Sequence, residues 1–165
     1  MNEDAGYLKL DATDLRLLEL LQNDASLSNQ ALAERAHVSP ATCLRRVARL
    51  TVAGVIERRV ALLSVEKLGA GLTAVVEITL DRQGAELLAA FEARVASDAS
   101  VQQCYRVSPG PDFVLVVQVA DMPGYHALVQ RLFTTDANVR NVKAYFSVHR
   151  AKFDPRIALP LPSQA

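Results

Sequence analysis

The stretch Ser28-Asn29-Gln30-Ala31-Leu32-Ala33-Glu34-Arg35-Ala36-His37-Val38-Ser39-Pro40-Ala41-Thr42-Cys43-Leu44-Arg45-Arg46-Val47-Ala48-Arg49-Leu50 contains two helix starts. Ser28 and Ser39 are each suited to accept a first-turn backbone N–H. Leu27 pairs with Leu32, and Val38 with Cys43, at the spacing of a hydrophobic staple. Pro40 takes the first helical position, where a missing N–H costs nothing. Downstream, Gly54 is placed to close the helix in the left-handed conformation, with Val55 folding back on Leu50. Only His37 and Val38 separate the second helix from the Ser39 cap, so the two helices must cross steeply, the spacing of a helix-turn-helix. A further helix precedes them. Asp11 is its N-cap, Asp14 at N3 faces the helix dipole, and Leu10 meets Leu15 ahead of Leu17, Leu18 and Leu21.

The charges point to what this motif meets. The 165-residue chain has 18 Lys plus Arg against 18 Asp plus Glu, a zero balance that hides an uneven distribution. Before Arg35 two bases face seven acids. From Arg35 to Arg59 only Glu57 opposes Arg35, Arg45, Arg46, Arg49, Arg58 and Arg59, and beyond Arg59 the charges cancel. On the third helix Thr42, Arg45, Arg46 and Arg49 fall at i, i+3, i+4 and i+7, one stripe, while Cys43, Leu44, Val47 and Leu50 are read as the packing stripe. A solvated helix face is the ordinary reading of an arginine stripe. On the second helix of a helix-turn-helix, it becomes a candidate major-groove reader, because a guanidinium donates two hydrogen bonds to guanine O6 and N7. Ser39, Thr42, Arg45, Arg46 and Arg49 are therefore the candidate DNA-binding residues.

Half the residues are hydrophobic, which excludes a disordered chain. The densest apolar run, Phe113 to Val117, is too short for a membrane span, and the acidic start Met1-Asn2-Glu3-Asp4 lacks the basic region of a signal peptide, so a cytoplasmic protein is expected. Cys43 and Cys104 stand far apart and are read as core, not as a disulfide or zinc site. His37, His126 and His149 show neither metal-ligand spacing nor a neighbouring nucleophile, so no metal and no catalytic residue are assigned. Gly69-Ala70-Gly71-Leu72-Thr73-Ala74 loosely matches a dinucleotide fingerprint but precedes a strand and opens no helix, so it is rejected.

The chain divides into a helix-turn-helix domain over 1–63, ending in an extended hinge strand from Val55 to Leu63, a linker over 64–72, and a second domain over 73–165. The second domain reads as strand Thr73 to Leu80, helix Gly84 to Ala96, strand Val101 to Val107, a turn at Ser108 to Asp112, strand Phe113 to Val119, helix Pro123 to Phe133 and strand Val139 to Val148. This order is βαββαβ, a ferredoxin-like arrangement, giving an α+β protein. Phe113 to Val117 is apolar on both sides of its strand, so the sheet face without helices must also be covered, and a second copy of the chain is the simplest cover. Tyr105 and Tyr145 are expected on that face.

These residues resemble the Lrp/AsnC (leucine-responsive/asparagine regulator, feast-or-famine) family of transcriptional regulators. The resemblance is carried by Leu10-Asp11-x-x-Asp14, Leu27-Ser28-Asn29-x-x-Leu32-Ala33, Val38-Ser39-Pro40-x-x-Cys43-Leu44-Arg45-Arg46-Val47 and Leu50-x-x-x-Gly54-Val55-Ile56. Looser matches follow at Cys104-Tyr105-Arg106-Val107, Asp112-Phe113 and Leu159-Pro160-Leu161. It implies a regulator that binds palindromic double-stranded DNA as homodimers assembled into tetramers or octamers, modulated by an amino-acid effector and needing no cofactor. By position it implies effector contacts from the segments Ser108 to Asp112 and Thr134 to Asn138, with Ser108, Gly110, Asp112, Thr134, Thr135 and Asp136 as the candidate residues. Asp112 is the candidate partner for the effector's ammonium, since an ionised carboxylate accepts charge-assisted hydrogen bonds. A turn aspartate bonding its own backbone is the equal alternative. The chain departs from the family in carrying Pro109 at the usual glycine, and Pro109 and Pro111 remove two backbone donors from the turn. Two other functions stay open. Sirohaem decarboxylases share the architecture, although the arginine stripe and the proline-stiffened turn weigh against a tetrapyrrole site. A low-specificity architectural DNA binder would show steep salt dependence without sequence preference.

Overall fold

The computed structural model describes residues 8–69 and 71–160, which form two compact units. The first comprises the described residues of Met1–Leu62 with those from Phe153 on, and the second is Leu63–Lys152.

Local chemistry places the three helices of the first unit. Helix α1, Ala12–Asn23, opens on a complete capping box: the Asp11 carboxylate accepts the Asp14 N–H at 2.9 Å, and the Asp14 carboxylate accepts the Asp11 N–H at 3.2 Å. Helix α2, Asn29–Ala36, is capped by Ser28 and ends at His37, which takes the left-handed conformation at φ 57°. Helix α3, Pro40–Val52, is capped by Ser39. Its end turns through Gly54 at φ 73°, with the Val55 N–H donating to the Leu50 carbonyl at 3.0 Å. Leu17, Leu21, Leu32, Ala33, Ala36 and Cys43 form the core, and the stapling residues Leu27 and Val38 pack against it.

Two expectations for this unit are corrected. Val55 to Leu63 is not a strand: it pairs with no strand among the described residues, and Val60, Leu62 and Leu63 are exposed. A strand exists only as part of a ladder, and one chain alone offers this segment no partner. Leu44 does not pack. It is 62% exposed, because Cys43, Arg46, Val47 and Leu50 turn inward together and carry Leu44 out. The tail also differs from the expected division at 73–165. The Gln22 side-chain amide donates to the Ile157 carbonyl at 3.0 Å and accepts its N–H at 3.1 Å, tying the tail to α1.

The second unit begins with a folded turn in which Ser64 caps the Lys67 N–H, followed by Gly71, where a Cβ would lie 2.9 Å from the Val119 carbonyl oxygen. Its elements are β1 Leu72–Leu80, α4 Ala85–Ala96, β2 Val101–Arg106, β3 Phe113–Val119, α5 Met122–Val129, a π-helical turn Gln130–Thr134, and β4 Val139–Phe146. The expected helix from Pro123 to Phe133 thus changes winding at Gln130. All pairings are antiparallel and the strand order is β2-β3-β1-β4, the ferredoxin-like sheet.

Strict alternation divides the sheet. Ala74, Val76, Ile78 and Leu80 of β1, with Phe113, Leu115, Val117 and Val119 of β3, are buried against Phe91 and Val95 of α4 and Tyr125 and Leu128 of α5. The register puts Val75 opposite Val116 and Tyr145, and Tyr105 opposite Val114, on the other face. No helix of this unit covers that face, and Tyr105 and Tyr145 remain 53% and 45% exposed. On the covered side Phe91 stacks on Phe113 at 4.7 Å and faces Phe133 at 6.5 Å. Phe91→Ala is expected to destabilise this unit by about 3–5 kcal/mol. Urea unfolding followed by circular dichroism measures it, and a loss below about 1 kcal/mol would contradict the assigned core.

Candidate nucleic-acid interface and effector turn

The candidate DNA-binding residues divide by their partners. Ser39 is spent on the start of α3: its hydroxyl accepts the Thr42 N–H at 3.2 Å and donates to the Thr42 hydroxyl at 2.9 Å. Arg46 lies against α1, and one of its terminal nitrogens donates to Asp11 at 2.6 Å and to Asp14 at 2.9 Å. Arg49 donates to the other Asp14 oxygen at 2.5 Å. The Asp14 side chain is 1% exposed, the Arg46 side chain 22% and that of Arg49 43%. The first-turn N–H of α1 followed by the Arg46 guanidinium lower the Asp11 pKa below its ordinary value. Arg45 is different. It is exposed and has no ion-pair partner among the described residues.

The sequence marked Asp14 only as a helix-start residue. Its second duty, joining α1 to α3, was not readable, because its partners lie 32 and 35 positions away. The signal available was a first-turn carboxylate in an acidic segment followed by arginines opposed only by Glu57.

Both candidate effector segments converge on the end of β1. An Asp112 carboxylate oxygen accepts the Leu80 N–H at 2.6 Å, where the β1–β4 register shifts. Asn138 accepts the Asp81 N–H on its carbonyl at 2.8 Å and the Arg82 N–H on its side chain at 3.0 Å. Asp112 therefore bonds another strand's backbone, and neither sequence reading described that bond. Its other oxygen carries no hydrogen bond among the described residues. Asp136 is fully engaged, with one oxygen on the Asn138 N–H at 2.9 Å and the other on Arg94. Ser108, Gly110, Thr134 and Thr135 are exposed, and the Thr135 hydroxyl donates to the Arg131 carbonyl at 3.0 Å.

Chemistry of other kinds finds little footing. Burial pushes the Cys43 and Cys104 thiols up, which disfavours the reactive thiolate. Among the described residues no group of three His, Cys, Asp or Glu is placed to hold a metal ion. No helix among them is long and apolar enough to cross a membrane.

Comparison with known proteins decides the family. Residues 10–51 match the AsnC-type helix-turn-helix domain, and residues 73–157 match the Lrp/AsnC ligand binding domain. The chain belongs to the Lrp/AsnC family. It is 36% identical over 144 residues to the Escherichia coli K12 DNA-binding transcriptional activator DecR, covering 87% of this chain and 95% of that one. It is 34% identical over 150 residues to the leucine-responsive regulatory protein of Salmonella typhimurium, covering 91% and 92%. Among solved structures, a Neisseria meningitidis transcriptional regulator crystallised as an L-Met complex superposes with a TM-score of 0.83 at 29% identity, covering 92% of this chain and 98% of that one. As an Lrp/AsnC transcriptional regulator, this chain joins its DNA-binding and ligand-binding domains in the family's order.

The Asp136 ion pair has a measurable signature in this Lrp/AsnC ligand-binding domain. Burial raises the Asp136 pKa, but the Asn138 N–H and Arg94 outweigh it and hold the carboxyl below its ordinary 3.8. Its stabilising contribution is therefore complete above that value and lost as pH falls through the lower folded-state pKa. The stability gap between wild type and Asp136→Asn, from urea midpoints between about pH 6 and pH 2, is expected to narrow on acidification. A pH-independent gap would contradict the assignment.

Proposed function

We infer that the chain, acting in the cytoplasm, binds double-stranded DNA by placing the N-terminal half of α3 in the major groove, with Arg45 as its principal cationic contact. The observation that carries this reading is the contrast on α3: Arg46 and Arg49 are tied to Asp14, while Arg45 stands exposed beside them. An exposed guanidinium without a protein partner keeps all its donors for a guanine edge or a phosphate.

One helix-turn-helix covers only part of a specific site, so two are needed. The uncovered sheet face, with Val75, Val114, Val116, Tyr105 and Tyr145, supports a homodimer through the second unit, and such dimers assemble further to a tetramer or octamer. The effector is an amino acid or related small molecule, a reading supported by the L-Met complex of the Neisseria relative. It acts at the end of β1, where Asp112 is anchored by one oxygen and keeps the other for an ammonium group. This function needs neither a cofactor nor catalysis.

Selection of duplexes from a random pool by the purified protein at near-physiological salt tests the reading. The expected product is a pseudo-palindrome with half-sites about one helical turn apart, whose affinity changes on adding L-amino acids, L-methionine among them. Enrichment of no sequence, with affinity collapsing in salt, would instead support an architectural DNA binder.

A further inference from the structure

A second exposed stripe on α3 overlaps the arginine stripe at Arg45. Ala41, Leu44, Arg45 and Ala48 stand at i, i+3, i+4 and i+7, and all four are exposed. An exposed leucine is unremarkable by itself. Here it occupies the half of the helix that approaches base edges in this motif. The other side chains of that half are committed: Ser39 and Thr42 bond each other at the cap, Cys43 is buried, and Arg46 is tied to Asp11 and Asp14. Leu44 and Arg45 are the two long side chains left. Ala41 and Ala48 on either side are small, which lets the helix backbone approach the floor of a groove closely. No acidic residue occurs anywhere on α3 to repel phosphates.

We propose that Leu44 is a specificity-determining residue that packs on the C5-methyl group of a thymine in each half-site, one step along the groove from the base or phosphate held by Arg45. The methyl group is the apolar feature that marks thymine in the major groove, and an aliphatic side chain recognises it by excluding water from it. This proposal rests on the DNA-binding reading above and adds a base identity to it.

Deoxyuridine differs from thymidine only in lacking that methyl group, which makes the test direct. In the duplex recovered by selection, symmetric pairs of thymines are replaced one pair at a time by deoxyuridine, and binding is measured for wild type and Leu44→Ala. At one pair the wild-type affinity is expected to fall about fourfold per methyl group lost, while Leu44→Ala responds less than about twofold to the same replacement. Because Leu44 is exposed, Leu44→Ala is expected to keep the wild-type unfolding midpoint and sedimentation behaviour. Three results would overturn the proposal: no thymine pair sensitive to deoxyuridine, the same sensitivity retained in Leu44→Ala, or a change of oligomeric state in Leu44→Ala, which would make Leu44 a subunit contact. Failure of the selection to yield any site would overturn the DNA-binding reading itself, so the two failures are distinguishable.

Discussion

A carboxylate withdrawn from water must be neutralised by neighbours, and the arrangement of the first unit follows from how Asp14 meets that demand. It sits in the first turn of α1, where its own backbone and that of Asp11 close a reciprocal cap. Its remaining capacity is met by Arg46 and Arg49 from consecutive turns of α3. The start of one helix is thereby fixed against the face of another, which sets the rotation of α3 about its own axis. Arg46 gives up much of its solvent exposure to this duty, and its Nε is buried without a hydrogen-bond partner. Leu44 and Arg45 are turned outward by the same rotation.

The second unit is governed by a different constraint, the period-two alternation of its sheet. One face is filled by Phe91, Phe113 and Phe133 beneath two helices, and the other keeps valines and tyrosines with no helix of their own unit over them. The end of β1 is where the two candidate effector segments meet, because Asp112 accepts the N–H of Leu80 and Asn138 those of Asp81 and Arg82 just beyond it. The same atoms thus finish the sheet and join the two candidate segments.

What could be read from sequence was local. The caps at Asp11, Ser28 and Ser39, the staples of Leu27 and Val38, the turn at Gly54 and the alternation of β3 each depend on residues within about five positions of one another. The inward stripe of α3 could be read at Cys43, Val47 and Leu50, but not that Arg46 completes it in place of Leu44. Asp14, distant in sequence, holds Arg46 inward. The hinge segment has strand chemistry without a ladder, and the tail from Phe153 joins α1 through Gln22, a pairing across 135 positions that no pattern announces. For Asp112 the sequence offered an ammonium partner or a bond to its own turn, because turn aspartates usually bond locally. Its bond to Leu80 depends on where β1 ends beside β3.

Neighbouring arginines of α3 are proposed to perform different tasks, Arg46 holding the helix and Arg45 meeting DNA. The salt dependence of binding measured on Arg45→Ala and Arg46→Ala, alongside their unfolding midpoints, tests this division most directly. Arg45→Ala is expected to keep the wild-type midpoint and to flatten the log–log salt slope by about one. Arg46→Ala is expected to lose about 1–3 kcal/mol of stability, with the slope retained by the folded protein. An Arg46→Ala protein of undiminished stability whose salt slope falls as far as that of Arg45→Ala would contradict this division.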